Sequence, residues 1–123
     1  MCGIVGVVSK TKLSVNQKSI SIFEQMLYVG ALRGMDSTGI FAIPNTVNKA
    51  LFVKSTELPL DFLENTVKTI PGFMYGNKYL VGHNRKATQG FINNNNAHPF
   101  QHGNITLVHN GTSHTHKNLA VLS

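Results

Sequence analysis

The chain has little cysteine, little acid and no tryptophan. Its 123 residues include one Cys, five Asp and Glu together, and no Trp. A single cysteine excludes an intrachain disulfide, which fits a reducing cytosol. No apolar run approaches the ~18 residues that a membrane-spanning helix needs. The short apolar run near the N-terminus also lacks the basic region that precedes a secretory signal. These absences predict a cytoplasmic protein without a membrane partner.

The shortage of acids accounts for much of the net charge of +6. The eleven Lys and Arg are scattered along the chain, and only Arg85 and Lys86 are adjacent. Proteins that track nucleic acid cluster their basic residues and place aromatic residues between them. Because no such cluster exists here, we hold nucleic-acid binding only as a third hypothesis, behind the two functions given below.

Hydrophobic patterning predicts one α+β domain in which helices pack on largely antiparallel strands. We expect an amphipathic helix over residues 17–31, capped by Ser14 or Asn16, and a second helix that begins at Pro59 and is closed by Pro71-Gly72. The expected strands cover residues 3–8, 39–54 as a hairpin, 79–83 and 105–109, with a last helix near Thr115. The expected buried helix positions are Ile20, Phe23, Met26, Leu27, Leu32, Leu60, Leu63, Val67 and Ile70.

The one cysteine stands at position 2, immediately before the first apolar strand. Removal of Met1 would give Cys2 a free α-amino group, whose ordinary pKa of about 7.7–8.0 lies close to the ~8.5 of a thiol. One residue would then carry both a nucleophile and its general base. The alternative is a cysteine that only packs in a buried strand, since free Cys is often part of a core.

Four short motifs occur one after another along the chain. They are Met1-Cys2-Gly3, residues 33–39 (RGMDSTG), residues 82–90 (GHNRKATQG), and residues 96–100 (NAHPF) leading to His109-Asn110-Gly111. Together they resemble the glutaminase domain of class II glutamine amidotransferases, which are N-terminal-nucleophile hydrolases. The likeness is greatest to glucosamine-6-phosphate synthases and their phage-encoded relatives, and it extends from Cys2 to about Leu119.

The resemblance implies a fold and a reaction. The fold is the αββα sandwich of antiparallel sheets, which we expect to be incomplete in this chain. The reaction is hydrolysis of the glutamine side-chain amide to glutamate and ammonia through a thioester on Cys2, with the ammonia passed to an acceptor such as a sugar phosphate. The Asn110 side chain and the Gly111 backbone N–H would form the oxyanion hole. Taken alone, Asn-Gly after a strand would indicate a hairpin turn.

The resemblance also implies a set of substrate-binding residues. Arg85 would hold the α-carboxylate of glutamine with its planar charged fork, beside Thr88 and the backbone near Gln89. Arg33 would orient Cys2 and its amine, and His98 would hold its loop rather than transfer a proton. The alternatives are a surface salt bridge for Arg85 and, for Arg33, a cation favoured by a helix C-terminus.

The family's glutaminase uses no metal or other cofactor, and we expect none here. Six histidines, especially His109, His114 and His116, raise the possibility of a metal site. Zinc sites usually need three or four ligands at fixed spacing, often with thiolates. The only thiol in this chain already has another role.

The sequence departs from the family at two positions and at its end. Lys86 replaces a usual aromatic residue, and Thr115 replaces a common asparagine. The family's glutaminase domain also continues to an acidic residue that recognises the α-amino group of glutamine, whereas this chain ends twelve residues after Gly111. We therefore expect residues 1–123 to be the N-terminal part of a type-2 glutamine amidotransferase domain, either as a fragment or as a short form completed by a partner, such as an acceptor-domain protein, or by self-association. The alternative is a truncated, non-catalytic remnant.

Overall fold

A four-stranded antiparallel sheet forms the centre of the computed structural model, which describes residues 1–111. Its strands are β1 (Gly3–Val8), β2 (Ser37–Pro44), β3 (Leu51–Ser55) and β4 (Asn77–Arg85), in the spatial order β1-β4-β2-β3. Strand β4 pairs on both sides, so Gly3, Asn84 and Thr38 stand in one row. The start of β1, the end of β4 and the start of β2 therefore meet at one end of the sheet.

Helix α1 (Gln17–Val29) covers one face of this sheet. Asn16 caps it, because the side-chain Oδ1 accepts the Ser19 N–H at 2.9 Å, which confirms one of the two predicted caps. The predicted apolar face is confirmed at three positions that recur with helical spacing, Ile20, Phe23 and Leu27.

The prediction for the end of this helix was wrong. Leu32 is 89% exposed and Met26 is 53% exposed. Leu32 lies in a 3₁₀ turn, Gly30–Leu32, that follows the last α-helical residue. The tighter turn rotates the Leu32 side chain away from the face that carries Leu27.

The second helical segment is irregular. It begins as a short helix, α2 (Pro59–Asp61), with Pro59 in its first turn as predicted, and continues through a π-helical stretch (Phe62–Thr66) and a 3₁₀ turn (Val67–Thr69). Phe62 and Val67 are buried, whereas the predicted positions Leu60 and Ile70 are exposed. The wider π-helical turn places residues five apart on one face, so the three-to-four spacing misassigned two positions.

The hydrophobic core lies between the sheet and these helical segments. Gly82 faces α1 so closely that an added Cβ would lie 2.7 Å from Leu27 and 3.1 Å from Phe23. Each fully buried Leu, Ile or Phe side chain contributes about 1.5–3 kcal/mol relative to exposure. The core is formed by Val5, Val15, Ile20, Phe23, Leu27, Ile40, Ala42, Phe62, Val67, Phe73, Met74 and Leu80.

The opposite face of the sheet is contacted, at the end that holds Gly3, by the segment Ala97–Pro99, which leads into a second, two-stranded antiparallel sheet. This sheet pairs β5 (Phe100–His102) with β6 (Ile105–Leu107). Strand β4 extends to Arg85, beyond the predicted end at residue 83, and β5 was not predicted. The predicted α+β class with antiparallel pairing is confirmed, and the predicted helix near Thr115 lies outside the described residues.

None of the helices within residues 1–111 is long and apolar enough to cross a bilayer.

A glycine in β2 permits the close approach of the covering segment. A Cβ on Gly39 would stand 1.7 Å from the His98 carbonyl oxygen, a distance that no rotamer change can relieve. We expect Gly39→Ala to lower the free energy of unfolding by at least about 2 kcal/mol, measured by urea denaturation. The matched control is Gly6→Ala, whose Cβ would meet nothing nearer than 3.7 Å. Equal stability of the two variants would contradict this account of Gly39.

Candidate active site

The cysteine thiol lies at the start of β1 and contacts the backbone that follows β4. The Lys86 N–H donates to Cys2 Sγ at 3.3 Å, and the thiol donates to the Lys86 carbonyl at 3.7 Å. Cys2 is 9% exposed. A backbone N–H is therefore directed at the sulfur atom on which negative charge would develop in a nucleophilic attack.

Asn110 is joined to the same residue from the other end of the described chain. The Cys2 N–H donates to Asn110 Oδ1 at 3.1 Å, although the two residues are 108 positions apart. With Oδ1 engaged in this way, the Nδ2 hydrogens are the ones left to donate elsewhere. The following Gly111 has a φ of 146°, a conformation that favours glycine. Asn110 thus lies beside Cys2, a few residues after the end of β6. The strand ends at Leu107 rather than at the predicted residue 109.

Arg33 reaches the cysteine from the turn after α1. Its Nε donates to the Cys2 carbonyl at 3.2 Å, and its Nη2 lies 3.5 Å from Met1 Sδ. The turn is held to the sheet by Asn84, whose Nδ2 donates to the Leu27 carbonyl at 3.2 Å. Gly30 makes this possible, because a Cβ there would lie 2.1 Å from Asn84 Oδ1. The arginine therefore contacts the residue that the motifs predicted it to orient.

A groove of about 710 Å³ opens beside Cys2, between β1 and α1. It is largely apolar, with Arg33, Gln25, Asn84 and Asn110 as its polar boundary. The apolar lining comes from Ile4, Val5, Ile22, Met26, Val29 and Leu32.

Arg85 is buried beneath its own loop. It is 6% exposed, and its guanidinium donates to the carbonyls of Gln89 at 2.6 Å and Phe91 at 3.1 Å. Within residues 1–111 no carboxylate forms an ion pair with it. Thr88 is exposed on the same loop. The structure thus brings Arg85 and the Gln89 backbone together, with two of the five guanidinium hydrogens engaged.

Asp36 is a site-building residue that the sequence reasoning missed. Its Oδ2 accepts the Ala87 N–H at 2.6 Å, and its own N–H donates to the Arg85 carbonyl at 2.9 Å. These bonds join the loop before β2 to the loop after β4. The signal for it was present, since Asp36 lies inside the predicted 33–39 motif.

His98 lies on the face of the sheet opposite α1. Its ring stacks on His83 with the centroids 3.8 Å apart, and its Nδ1 accepts the His109 N–H at 3.2 Å. His83 Nε2 donates to the His109 carbonyl at 2.9 Å. Burial, followed by the nearby His83, His109, Arg85 and Lys54, lowers the pKa of His98 to about 3. Burial also lowers the pKa of His83, so both rings are neutral at pH 7.

No group of three or more His, Cys, Asp or Glu side chains within residues 1–111 is arranged to hold a metal ion. His114 and His116 lie outside this range.

The low pKa of His98 predicts a loss of stability in acid. The unfolded histidine takes up a proton below about pH 6.5 while the folded one does not, so acid favours the unfolded state. We expect the free energy of unfolding to fall by about 1–2 kcal/mol from pH 7 to pH 5 because of His98, measured by urea denaturation at both pH values. His98→Gln should reduce this pH dependence, and the exposed control His102→Gln should not. Identical pH dependence in both variants would contradict the prediction.

The chain is similar to known proteins over nearly its whole length. The chain is 36% identical over 119 residues to the glutamine–fructose-6-phosphate aminotransferase (isomerizing) of Wigglesworthia glossinidia brevipalpis, covering 97% of this chain and 18% of that protein. It is 31% identical to the protein of the same name from Sulfurisphaera tokodaii and 33% identical to that from Sulfolobus acidocaldarius, in each case over 97% of this chain and 19% of the relative.

The chain therefore spans about a fifth of the length of these relatives. No family model and no solved structure matches it. The resemblance that the four motifs predicted is confirmed by these matches, which cover nearly the whole chain. By sequence, the chain is a relative of the glutamine–fructose-6-phosphate aminotransferases and matches their N-terminal glutaminase domain.

Proposed function

We propose that this chain is the glutamine-hydrolysing part of an amidotransferase and that Cys2 is its nucleophile. The observation that carries the proposal is the hydrogen bond between the Cys2 N–H and Asn110 Oδ1. It joins the first and the last of the four motifs, in a chain whose relatives are named aminotransferases acting with glutamine. The function proposed is hydrolysis of the glutamine side-chain amide to glutamate and ammonia.

The first half of the reaction forms a thioester. After removal of Met1, the α-amine of Cys2 accepts the thiol proton, directly or through a water molecule. The thiolate attacks the side-chain amide carbon of glutamine, and the carbonyl oxygen becomes an oxyanion. Asn110 Nδ2 and the Gly111 N–H stabilise that oxyanion, while the Lys86 N–H holds the sulfur. The amine proton then passes to the leaving nitrogen, and ammonia departs as the carbon–nitrogen bond breaks.

The second half releases glutamate. Water attacks the thioester carbon, and the Cys2 amine now accepts the proton of that water. The same two donors stabilise the second oxyanion, and its collapse breaks the carbon–sulfur bond and restores the thiol. No histidine is needed as a base, which agrees with the pKa of about 3 that makes His98 a weak base and with its Nδ1 already accepting the His109 N–H.

Recognition of glutamine is assigned to the arginines. Arg33 orients Cys2 through its carbonyl, and Arg85, with Thr88 and the Gln89 backbone, binds the α-carboxylate. The Arg85 guanidinium forms no ion pair with a carboxylate of residues 1–111, and this supports the role, because a cation held only by carbonyl dipoles still favours an incoming anion.

The remaining parts of the proposal concern what completes the site. The β5–β6 pair would belong to the second sheet of an αββα sandwich, since it follows the segment that contacts the face of the larger sheet opposite α1. The ammonia passes to an acceptor such as a sugar phosphate on an acceptor domain or a partner protein.

The second candidate is a non-catalytic remnant of such an enzyme. The observation that favours it is the burial of Arg85, which is 6% exposed and donates to two loop carbonyls. Cooperative unfolding together with measurable glutamine binding would exclude this candidate.

The proposed nucleophile predicts a complete loss of activity in one variant. Cys2→Ala removes the sulfur, and we expect no ammonia release from glutamine above background. Intact mass of the wild-type protein should be lower by one methionine, because the amine must be free. Activity that survives in Cys2→Ala, or that occurs with Met1 retained, would contradict the mechanism.

The proposed oxyanion donor predicts a change in turnover. Asn110→Ala should lower kcat by about 10²–10³-fold with a much smaller change in KM, because the donor acts mainly in the transition state. Asn104→Ala is the matched control, since Asn104 is exposed in the turn between β5 and β6. Steady-state ammonia release measures both. Equal kcat values for the two variants would remove Asn110 from the site.

A further inference from the structure

Lys54 is a half-buried lysine that contacts the backbone on either side of His98. It lies on β3, and its Nζ donates to the Ala97 carbonyl at 2.8 Å and to the Pro99 carbonyl at 3.0 Å. The same Nζ lies 4.9 Å from the ring centroid of Phe100 and 5.7 Å from that of Phe52. No motif singled out this residue, and the mechanism above does not use it.

The lysine is partnered by dipoles and ring faces rather than by an anion. Within residues 1–111 it forms no ion pair with a carboxylate. Two carbonyl oxygens and the faces of two aromatic rings stabilise its charge instead. Because both accepting carbonyls belong to one short segment, the lysine fixes that segment on the sheet. The bare Gly39 next to it on β2 lets the segment lie directly against the strand.

His98 links the Ala97–Pro99 segment to His109. Its Nδ1 accepts the His109 N–H, while His83, stacked on His98, donates to the His109 carbonyl. Both backbone polar groups of His109 are therefore held by side chains. The next residue is Asn110, whose Oδ1 receives the Cys2 N–H.

We propose that Lys54 is a positioning residue for the oxyanion donors, acting through the Ala97–Pro99 segment, His98 and the backbone of His109. This inference rests on the proposed glutaminase function for its catalytic consequence. The placement itself, from Lys54 to the His109 N–H, can be measured without any activity.

The experiment compares two substitutions at position 54 with a distant lysine. Lys54→Met keeps the length and apolar stem but removes the charge and the donors, whereas Lys54→Arg keeps both. Lys49→Met is the control, because Lys49 is exposed in the connection between β2 and β3. The first readout is amide hydrogen exchange by NMR at His109, with the core residue Gly82 as internal reference.

We expect Lys54→Met to speed exchange of the His109 amide by about tenfold while Gly82 changes little, since the effect is local opening. Lys54→Arg should restore slow exchange, and Lys49→Met should match the wild type. Unchanged exchange at His109 in Lys54→Met would overturn the proposal. If Lys54→Met does not fold, Lys54→Gln, which keeps an N–H donor without the charge, is judged by the same criterion.

A double mutant tests the route. In a His98→Gln background, the step through His98 is already altered, so Lys54→Met should add little further change at His109. Additive effects of the two substitutions would show that the lysine does not act through His98 and would overturn the proposed route.

The second readout is steady-state glutamine hydrolysis. Lys54→Met should lower kcat by about tenfold with KM within about twofold, as expected for displaced oxyanion donors, and Lys54→Arg should recover most of the loss. A change confined to KM would overturn the assignment to the oxyanion donors. If the wild-type protein releases no ammonia, the proposed function fails, whereas the exchange rates still decide whether Lys54 positions His109.

Discussion

Pairing of β4 on both of its sides is the constraint on which the candidate site depends. Its register with β1 and β2 fixes Gly3, Asn84 and Thr38 in one row, so Cys2 comes to the same end of the sheet as Arg85. The turn after α1, the loop before β2 and the loop after β4 must then share that end. Arg33 joins the turn after α1 to the Cys2 carbonyl, and Asp36 joins the loop before β2 to the loop after β4 by accepting the Ala87 N–H.

The two faces of the sheet are stabilised by different chemistry. The face toward α1 is packed with apolar side chains, and its stability comes from buried area. The other face, at the end near Cys2, is joined to its cover by stacked imidazoles and a lysine bound to carbonyls. Such polar contacts have stricter geometry than apolar packing, so they define positions more sharply. A site that must hold two hydrogen-bond donors against one reacting atom benefits from this second kind of packing.

The sequence predicted the elements better than it predicted their contacts. Periodicity located α1, its Asn16 cap and all four strands of the large sheet, because these depend on local spacing. It failed at Leu32, which lies in a 3₁₀ turn, and at Leu60, which lies shortly before a π-helical stretch, because such turns change the angle between successive side chains. It also gave no sign of Lys54, since a lysine that binds backbone carbonyls more than forty positions away has no local pattern. The motifs named Cys2 and Asn110, whereas only the fold places one against the other.

The bond between the Cys2 N–H and Asn110 Oδ1 has a consequence for how the protein is made. The two residues are 108 positions apart, so the contact cannot form on a nascent chain before residue 110 has been synthesised. Contacts of this separation also cost the most loop entropy and form late in folding. The N-terminus consequently leaves the ribosome long before its partner does. Met1 and Cys2 therefore stay free of this contact throughout the synthesis of the chain that separates them from Asn110.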